Sequence, residues 1–233
     1  MVPRLVVIEA DVDSARAAHS LGCHTVFLQP PGSPVEELVD AESQLYSVDC
    51  AGALFPEFVD TVLRPLAPDA VVPAAETGAL PAAVARAVLG LPGTSAETVR
   101  RLREGAGVAR GRALGVQTFS VGGRHRVLAV VGGPSEGGGL EIVSPESGPA
   151  ADLEKTVCGF LERAGLTDGP AYLTVALDGG RVDVVSGVDC PGPGDVPALV
   201  RQATGVDVRR WAFAHALGIP SGEPGAVIAE EGA

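Results

Sequence analysis

Three residues of the sequence stand where a side chain can perform acid–base or nucleophilic chemistry. Glu76 lies two positions after the apolar stretch 69–74, and Asp189 and Cys190 lie in the Pro/Gly-rich loop after the alternating stretch 182–188. A carboxylate at a strand end can act as a general base or acid, and a loop thiol becomes a nucleophile only if a cation lowers its pKa. The competing interpretations are a helix N-terminal charge for Glu76 and an inert thiol for Cys190. We expect Glu76, Asp189 and Cys190 to form the catalytic group, working by acid–base rather than covalent chemistry.

The elements that position Glu76 belong to an alternating pattern of strands and helices. Apolar runs at 4–9, 24–29 and 69–74 are typical of buried parallel strands, and helical patterns at 14–21 and 76–90 follow the first and third of them. This alternation predicts a doubly wound parallel sheet. Ligands bind at the carboxyl ends of such strands, so we expect a binding edge near Glu9, Gln29 and Glu76.

The second half of the chain predicts an antiparallel sheet. A Gly-Gly turn at 122–123 joins two alternating stretches, and Asp178-Gly179-Gly180 joins two more, as in β-hairpins. Helical patterns at 150–165, 195–205 and 206–218 accompany them. The predicted fold class is therefore α/β, with an N-terminal doubly wound parallel βα domain and a C-terminal α+β domain. The predicted divisions are a βα domain at 1–93, a helical connector at 94–116 and a sheet domain at 117–233.

Composition and charge exclude several function classes. The formal net charge of −12 opposes nucleic-acid binding, because phosphates require a basic surface. No apolar run has membrane-spanning length, and the N-terminal stretch has no signal-peptide pattern, which predicts a cytoplasmic protein. The four cysteines lack the spacing of a zinc site and are expected to be reduced thiols.

Further residues are expected to bind a small-molecule carboxylate substrate around Glu76. Tyr172 and Thr174 lie on the strand beside the loop of Asp189, and Arg124 and His125 offer the nearest cations. One arginine is expected to orient the carboxylate of the substrate. The predicted binding residues are Glu9, Thr77, Arg124, His125, Tyr172, Thr174 and Ser186.

Four stretches occur in an order that resembles the ATP-grasp superfamily of carboxylate–amine ligases, in particular its amino-acid ligase and carnosine-synthase-like branch. They are "VVPAAETGALPAAVARAVLGLPGTSAETVRRLREGAG", "FSVGGRHRVLAVV", "ERAGLTDGPAYLTVAL" and "VPALVRQATGVDVRRWAFAHALGIP". The resemblance implies an N-terminal βα domain followed by the sheet of the catalytic domain. It covers most of the chain.

The sequence departs from the family where the family binds nucleotide and metal. The stretch "ALGVQT" runs directly into "FSVGGRHR", so the small lobe that carries the phosphate-binding lysine and glycine-rich loop is missing. The only lysine, Lys155, matches neither lysine of the family. By the same resemblance, Ser186, Val188 and Cys190 occupy the places of a metal-binding Glu, a metal-binding Asn and a substrate-binding Arg, and Thr174 replaces the other metal-binding Glu. Because Mg²⁺ requires oxygen ligands such as carboxylates, we expect no metal and no cofactor.

These departures leave three hypotheses for the function. The first is an ATP-independent enzyme that acts on a small carboxylate or amino-acid-like intermediate of specialised metabolism, by cyclisation, isomerisation or elimination. The second is a non-catalytic binding protein or a partner of a complete ligase. The third is a residual ligase that another chain completes.

A homodimer is a further expectation from the missing lobe. Without that lobe, the hairpin sheet around Phe119, Val121, Leu128 and Val130 is expected to expose apolar side chains. Large apolar patches on soluble proteins mark interaction surfaces. A second copy of the chain is therefore expected to cover this one.

Overall fold

The first half of the chain forms a parallel sheet with helices on its faces. In the computed structural model, which describes residues 2–105, 111–132, 140–143 and 150–220, this sheet has four strands in the order β3–β2–β1–β4. Its elements are β1 (Arg4–Ile8), α1 (Val12–His19), β2 (His24–Gln29), β3 (Ser43–Ser47), α2 (Phe55–Phe58), β4 (Ala70–Pro73) and α3 (Glu76–Leu89). A 3₁₀ turn at Pro34–Leu38 precedes β3, and a π-helical turn at Val59–Leu63 and a 3₁₀ turn at Arg64–Leu66 continue α2.

Local sequence explains most of these boundaries. Asp11 caps α1 by accepting a hydrogen bond from the backbone N–H of Ser14. Gly90 ends α3 in the left-handed conformation, as the sequence predicted. The edge strand β3 was not predicted, because its sequence SQLYS is short and largely polar and forms a strand only by pairing with β2.

The second half of the chain carries the predicted antiparallel sheet. Its described strands run in the order β7–β6–β5–β8–β9, and both predicted hairpins are present. The elements are α4 (Ala96–Glu104), β5 (Arg112–Val121), β6 (Arg124–Gly132), β7 (Glu141–Ile142), α5 (Ala150–Ala164), β8 (Gly169–Asp178), β9 (Arg181–Val188), α6 (Val196–Thr204) and α7 (Val208–Ala216). The predicted fold class is confirmed: a parallel sheet is followed by an antiparallel one.

Helices cover both faces of the antiparallel sheet. Val157 and Leu161 of α5 pack against one face, and α6 packs on the other beside Phe119 and Leu128. Phe119 is 4% exposed and Leu128 is 8% exposed, so the patch on which the homodimer was based is largely covered within the chain. Of its four members, only Val121 is an exposed large apolar residue. The expectation of an exposed apolar patch was wrong because the helices after β9 cover this face of the sheet. The homodimer itself stays a prediction.

Two features of the structure bear on the predicted domain divisions, which stay a prediction. The strand β5 begins at Arg112, inside the predicted connector 94–116, because its ladder with β8 extends to the pair Arg112–Leu177. The helix α7 also packs against the N-terminal core, where Ala212 and Phe213 lie among apolar residues of the parallel sheet. The C-terminal segment therefore stabilises both halves.

Among the residues that the structure describes, no helix combines the length and apolarity that crossing a membrane requires.

Candidate functional site

The carboxyl edge of the parallel sheet faces the β8–β9 hairpin across a crevice. The described residues enclose two adjoining cavities there, one of about 650 Å³ and one of about 490 Å³. We call the larger one the helix-side cavity, because residues of α2 and α3 line it, and the smaller one the loop-side cavity, because the loop 189–194 lines it. They share Glu9, Glu76, Ser186 and Gly187. The crevice therefore lies at the predicted seam between the strand ends and the β9 loop.

Glu9 directly follows β1 and has an unusual backbone conformation. Its φ of 56° lies in the left-handed region, which side chains other than glycine rarely adopt. The backbone N–H still donates to the carbonyl of Leu28 at 2.9 Å, and the carboxylate accepts a hydrogen bond from the hydroxyl of Thr77. Strained backbone of this kind is concentrated at functional sites. The structure thus brings two of the predicted binding residues together at the crevice.

Glu76 is the first residue of α3 and lines both cavities. Ala75 before it is extended and offers no side-chain cap, so the amino end of the helix opens toward the crevice. Gly78 permits the close approach of α3 to β1. A Cβ at that position would lie 2.9 Å from the carbonyl oxygen of Ile8. The sequence Glu76-Thr77-Gly78 therefore places one carboxylate and one hydroxyl beside Glu9.

Arg103 is the cation that the structure places in the helix-side cavity. Its Nη2 donates to the carbonyl oxygen of Glu76 at 2.7 Å, so α4 reaches over the start of α3. By sequence alone, the arginines of this helix can either bind an anion or form a solvated face. Thr98, Val99 and Leu102 form the buried face of α4, and Arg103 lies at its border. Helical periodicity alone cannot decide whether a border residue faces solvent or a neighbouring element.

The cations predicted for the crevice lie elsewhere. Arg124 and His125 begin β6 at the hairpin turn, and neither lines the two cavities. The Nδ1 of His125 lies 2.8 Å from the hydroxyl oxygen of Ser120, its neighbour across the hairpin. Burial lowers the pKa of this imidazole. The prediction that these two residues are the nearest cations was wrong. The β5–β6 turn lies at the same end of the sheet as the β9 loop but beyond it: Val188, just before the loop, is aligned through Tyr172 with Gln117, whereas the turn follows Val121.

The β8–β9 wall of the crevice carries hydroxyl groups. Thr174 pairs with Ser186 and Tyr172 with Val188 in the antiparallel register, and all four line the loop-side cavity. Burial raises the pKa of Tyr172, whose phenol therefore stays protonated at neutral pH. The ring fits because Gly115 on β5 has no side chain: a Cβ there would lie 2.0 Å from the Tyr172 oxygen. This wall can donate and accept hydrogen bonds without adding charge.

Asp189 is held in an ion pair rather than in the crevice. It is 5% exposed, lines neither cavity, and its Oδ2 lies 3.4 Å from Nη2 of Arg86 on α3. Burial raises the pKa of Asp189 to about 6, although Arg86 and Thr94 oppose that shift. Burial also lowers the pKa of Arg86. For both side chains, the energetic cost of burying the charge is therefore larger than the stabilisation from their mutual attraction, as in many buried ion pairs.

Two buried thiols lie along the crevice. Cys190 lines the loop-side cavity but is only 2% exposed, and burial, with help from Asp189 and Glu76, raises its pKa well above the usual range. Cys50, which the sequence did not assign to the site, lines the helix-side cavity. Burial, Glu9 and Asp49 raise its pKa to about 12. Both sulfurs are therefore protonated at neutral pH, which is the opposite of what a thiolate nucleophile needs.

Asp11 adds a third carboxylate to the crevice. It lines the loop-side cavity, and its Oδ2 accepts a hydrogen bond from Arg209 of α7 at 2.8 Å. Burial opposes ionisation, but hydrogen bonds from Ser14 and the charge of Arg209 lower the pKa of Asp11. Sequence reasoning recognised the helix start near this residue but not its distant partner, because Arg209 is 198 positions away along the chain.

Comparison with solved structures finds enzymes that share this architecture. An L-amino acid ligase from Bacillus licheniformis superposes with a TM-score of 0.75 at 16% identity, over 92% of this chain and 74% of that one. A phosphoribosylglycinamide synthetase from Anaerococcus prevotii gives 0.77 at 14%, over 94% and 76%. Biotin carboxylase from Campylobacter jejuni gives 0.67 at 9%, over 94% and 72%. The fold is that of the ATP-grasp enzymes.

No protein-family model matches the sequence, and no curated protein matches it. At these identities the ATP-grasp fold is what the comparison establishes. The crevice chemistry must therefore be derived from this chain's own residues.

The residues present do not fit the metal and nucleotide that the family resemblance implies. In the described parts of the chain, no group of three or more His, Cys, Asp or Glu side chains is arranged to hold a metal ion. The β8–β9 wall offers Thr174 and Ser186, whereas Mg²⁺ bound by a protein is usually held by carboxylates. Lys155, on α5, lines neither cavity.

Proposed function

We propose that this protein is an ATP-independent enzyme that performs acid–base chemistry on a small carboxylate with amino-acid-like groups. The observation that carries the proposal is the joining of Glu9, Glu76 and Arg103 in one crevice between the two sheets. A pocket with a few convergent charged groups at such a seam is the usual form of a small-molecule site.

Each charged group has a role that follows from its chemistry. The guanidinium of Arg103 has five N–H donors, so it can hold the Glu76 carbonyl and a ligand carboxylate together. Glu9, already oriented by Thr77, faces a ligand ammonium group. Glu76 then removes a proton from the carbon between these two groups and returns it to the same or a neighbouring atom. Isomerisation, cyclisation and elimination can each begin with this proton abstraction; in an isomerisation the proton returns to a neighbouring atom, and in an elimination it is passed to the leaving group.

Two features support independence from ATP: no lysine lines the two cavities, and no group of three or more His, Cys, Asp or Glu side chains among the described residues is arranged to hold a metal ion. Phosphoryl transfer needs positive charge and metal ions around the phosphates. The stretches "ALGVQT" and "FSV" lie on one strand, β5, so no residues stand between them for the lobe that the family resemblance implies there. The amino-acid-like substrate is supported by the charges of the crevice, and the similarity to an L-amino acid ligase agrees with it.

Proton abstraction can be tested without knowing the natural substrate. Pure protein is incubated in D₂O with a panel of α-amino acids and their N-acyl derivatives, with and without ATP·Mg²⁺, and loss of the α-proton is followed by NMR. We expect exchange without ATP, and Glu76→Gln should slow it by about 10²–10⁴-fold. Glu37→Gln, an exposed residue outside both cavities, is the matched control.

Several results would contradict this proposal. Exchange that requires ATP·Mg²⁺, or micromolar Mg²⁺-dependent binding of ATP by calorimetry, would favour a ligase. Full activity of Glu76→Gln would place the chemistry elsewhere. Binding of panel members with no exchange would favour the non-catalytic alternative, and activity that appears only when a complete ligase is added would favour the partner role.

A further inference from the structure

The helix-side cavity extends away from the charged groups into an apolar branch. Its walls there are Phe55 and Pro56 of α2 and Leu80, Pro81 and Val84 of α3. Leu80 and Val84 are four residues apart, so they present neighbouring side chains on one side of α3. Acid–base chemistry at Glu76 does not by itself require such a wall.

This branch is continuous with the charged part of the crevice. The helix-side cavity contains Glu9, Glu76 and Arg103 together with the apolar wall, in a single volume of about 650 Å³. That size lies within the usual range of about 300–1,000 Å³ for small-molecule pockets. Charges of both signs at one end and an apolar wall at the other complement a zwitterion that carries an apolar side chain.

We propose that the apolar branch is a specificity pocket for an unbranched or weakly branched hydrocarbon side chain of the ligand. This inference rests on the proposed function, since the charged groups of the same ligand meet Arg103 and Glu9. The side chain then lies between α2 and α3, and affinity rises with the apolar surface that it buries. Small ligands such as glycine fill only the charged part and bind weakly.

Ala51 and Ala53 provide a matched pair of substitutions for testing this pocket. Both are exposed residues just before α2, but Ala51 lines the helix-side cavity and Ala53 lines neither cavity. Ala51→Trp fills the branch without removing a core contact, and Ala53→Trp adds the same side chain outside it. Val84→Thr is a second variant that keeps the wall's volume and adds a hydroxyl group to it.

The test measures binding of glycine, L-alanine, L-2-aminobutyrate, L-norvaline and L-norleucine to the wild type and the three variants, by ligand-observed NMR. We expect Kd to fall by about fourfold for each added methylene in the wild type and in Ala53→Trp. Ala51→Trp should remove this dependence, and Val84→Thr should weaken it. Thermal melts of all variants verify folding.

The outcomes separate this inference from the proposed function. If all five amino acids bind with equal affinity, the apolar pocket is wrong while the charged site stands. An unchanged length dependence in folded Ala51→Trp also overturns the pocket. If no member binds at tens of millimolar, both the pocket and the amino-acid-like ligand are wrong.

Discussion

At the scale of single residues, the most informative feature is the backbone of Glu9. Two residues other than glycine have positive φ within the described chain, Glu9 at 56° and Ala67 at 49°. Ala67 ends the 3₁₀ turn after α2 and lines neither cavity, whereas Glu9 contributes to both. The same backbone conformation thus occurs once in a structural turn and once in the crevice.

Replacement of these two residues by glycine should separate stability from function. Left-handed backbone costs an L-residue about 1–2 kcal/mol, so Ala67→Gly should raise the free energy of unfolding by about 1 kcal/mol. Glu9→Gly gains the same relief but loses the hydrogen bond from Thr77, so its stability should stay within about 1 kcal/mol of the wild type. Chemical denaturation measures both values.

Ligand binding should change when Glu9 is replaced but not when Ala67 is replaced. Glu9→Gly should weaken binding of L-norleucine by at least tenfold, because it removes the carboxylate that faces the ammonium group, and Ala67→Gly should leave it unchanged. A Glu9→Gly variant that binds normally would show that the Glu9 carboxylate does not contact the ligand.

At the scale of elements, the approach of α3 to β1 decides whether the site exists. The amino end of α3 carries Glu76 and Thr77, and it comes this close because residue 78 has no side chain. The glycine inside α5 is not required by a close approach of this kind. Gly159 lies in α5, where an added Cβ would meet only the end of the flexible Arg163 side chain, at 3.3 Å.

The same glycine-to-alanine change should therefore have opposite effects in these two helices. Gly159→Ala should stabilise the protein by about 0.5–1 kcal/mol through helix propensity. Gly78→Ala should destabilise it by about 1–3 kcal/mol, because its Cβ meets the Ile8 carbonyl and α3 must shift. Denaturation gives the signs, and Gly78→Ala should also weaken amino-acid binding. Equal stabilisation by both changes would disprove the close-approach argument.

At the scale of the whole molecule, two ion pairs join the halves on either side of the crevice. Arg86 of α3 contacts Asp189 after β9, and Arg209 of α7 contacts Asp11 before α1. Both guanidinium groups are buried. These pairs fix the position of the β9 loop and of α7 relative to the parallel sheet. Asp189→Ala should therefore destabilise the protein, because it leaves the buried guanidinium of Arg86 without its partner.

Burial of Asp189 should also make the stability depend on pH. Its pKa is about 6 in the folded protein and 3.8 for an unperturbed carboxyl, so the folded state retains a proton that the unfolded state releases. The corresponding stabilisation is present below pH 4 and is lost as the pH rises through 6, with a size on the order of 2–3 kcal/mol.

Denaturation between pH 4 and 7.5 tests this prediction. The wild type should lose stability with rising pH relative to Asp189→Asn, which cannot titrate there. Asp178→Asn, an exposed residue in the β8–β9 turn, should keep the wild-type slope. Parallel curves for the wild type and Asp189→Asn would exclude a raised pKa at this carboxyl.

The sequence by itself determined both sheets and the location of the crevice. Apolar runs, alternation, glycine turns and helix caps are local signals, so they identified β1, β2 and β4, both hairpins and the strand-end position of Glu76. The hairpin pattern also put Thr174 and Ser186 on neighbouring strands, and neither side chain is a carboxylate. These features depend on neighbours within a few residues along the chain.

Only the tertiary structure decided which charges face the crevice. Arg103 enters it because α4 crosses the start of α3, whereas Asp189 leaves it because Arg86 lies 103 positions away in the sequence but in contact in space. Burial, and with it the pKa of each thiol and carboxyl, likewise depends on elements distant in sequence. Such long-range packing has no period and no local motif, so the charged partners of the site could be found only from the fold.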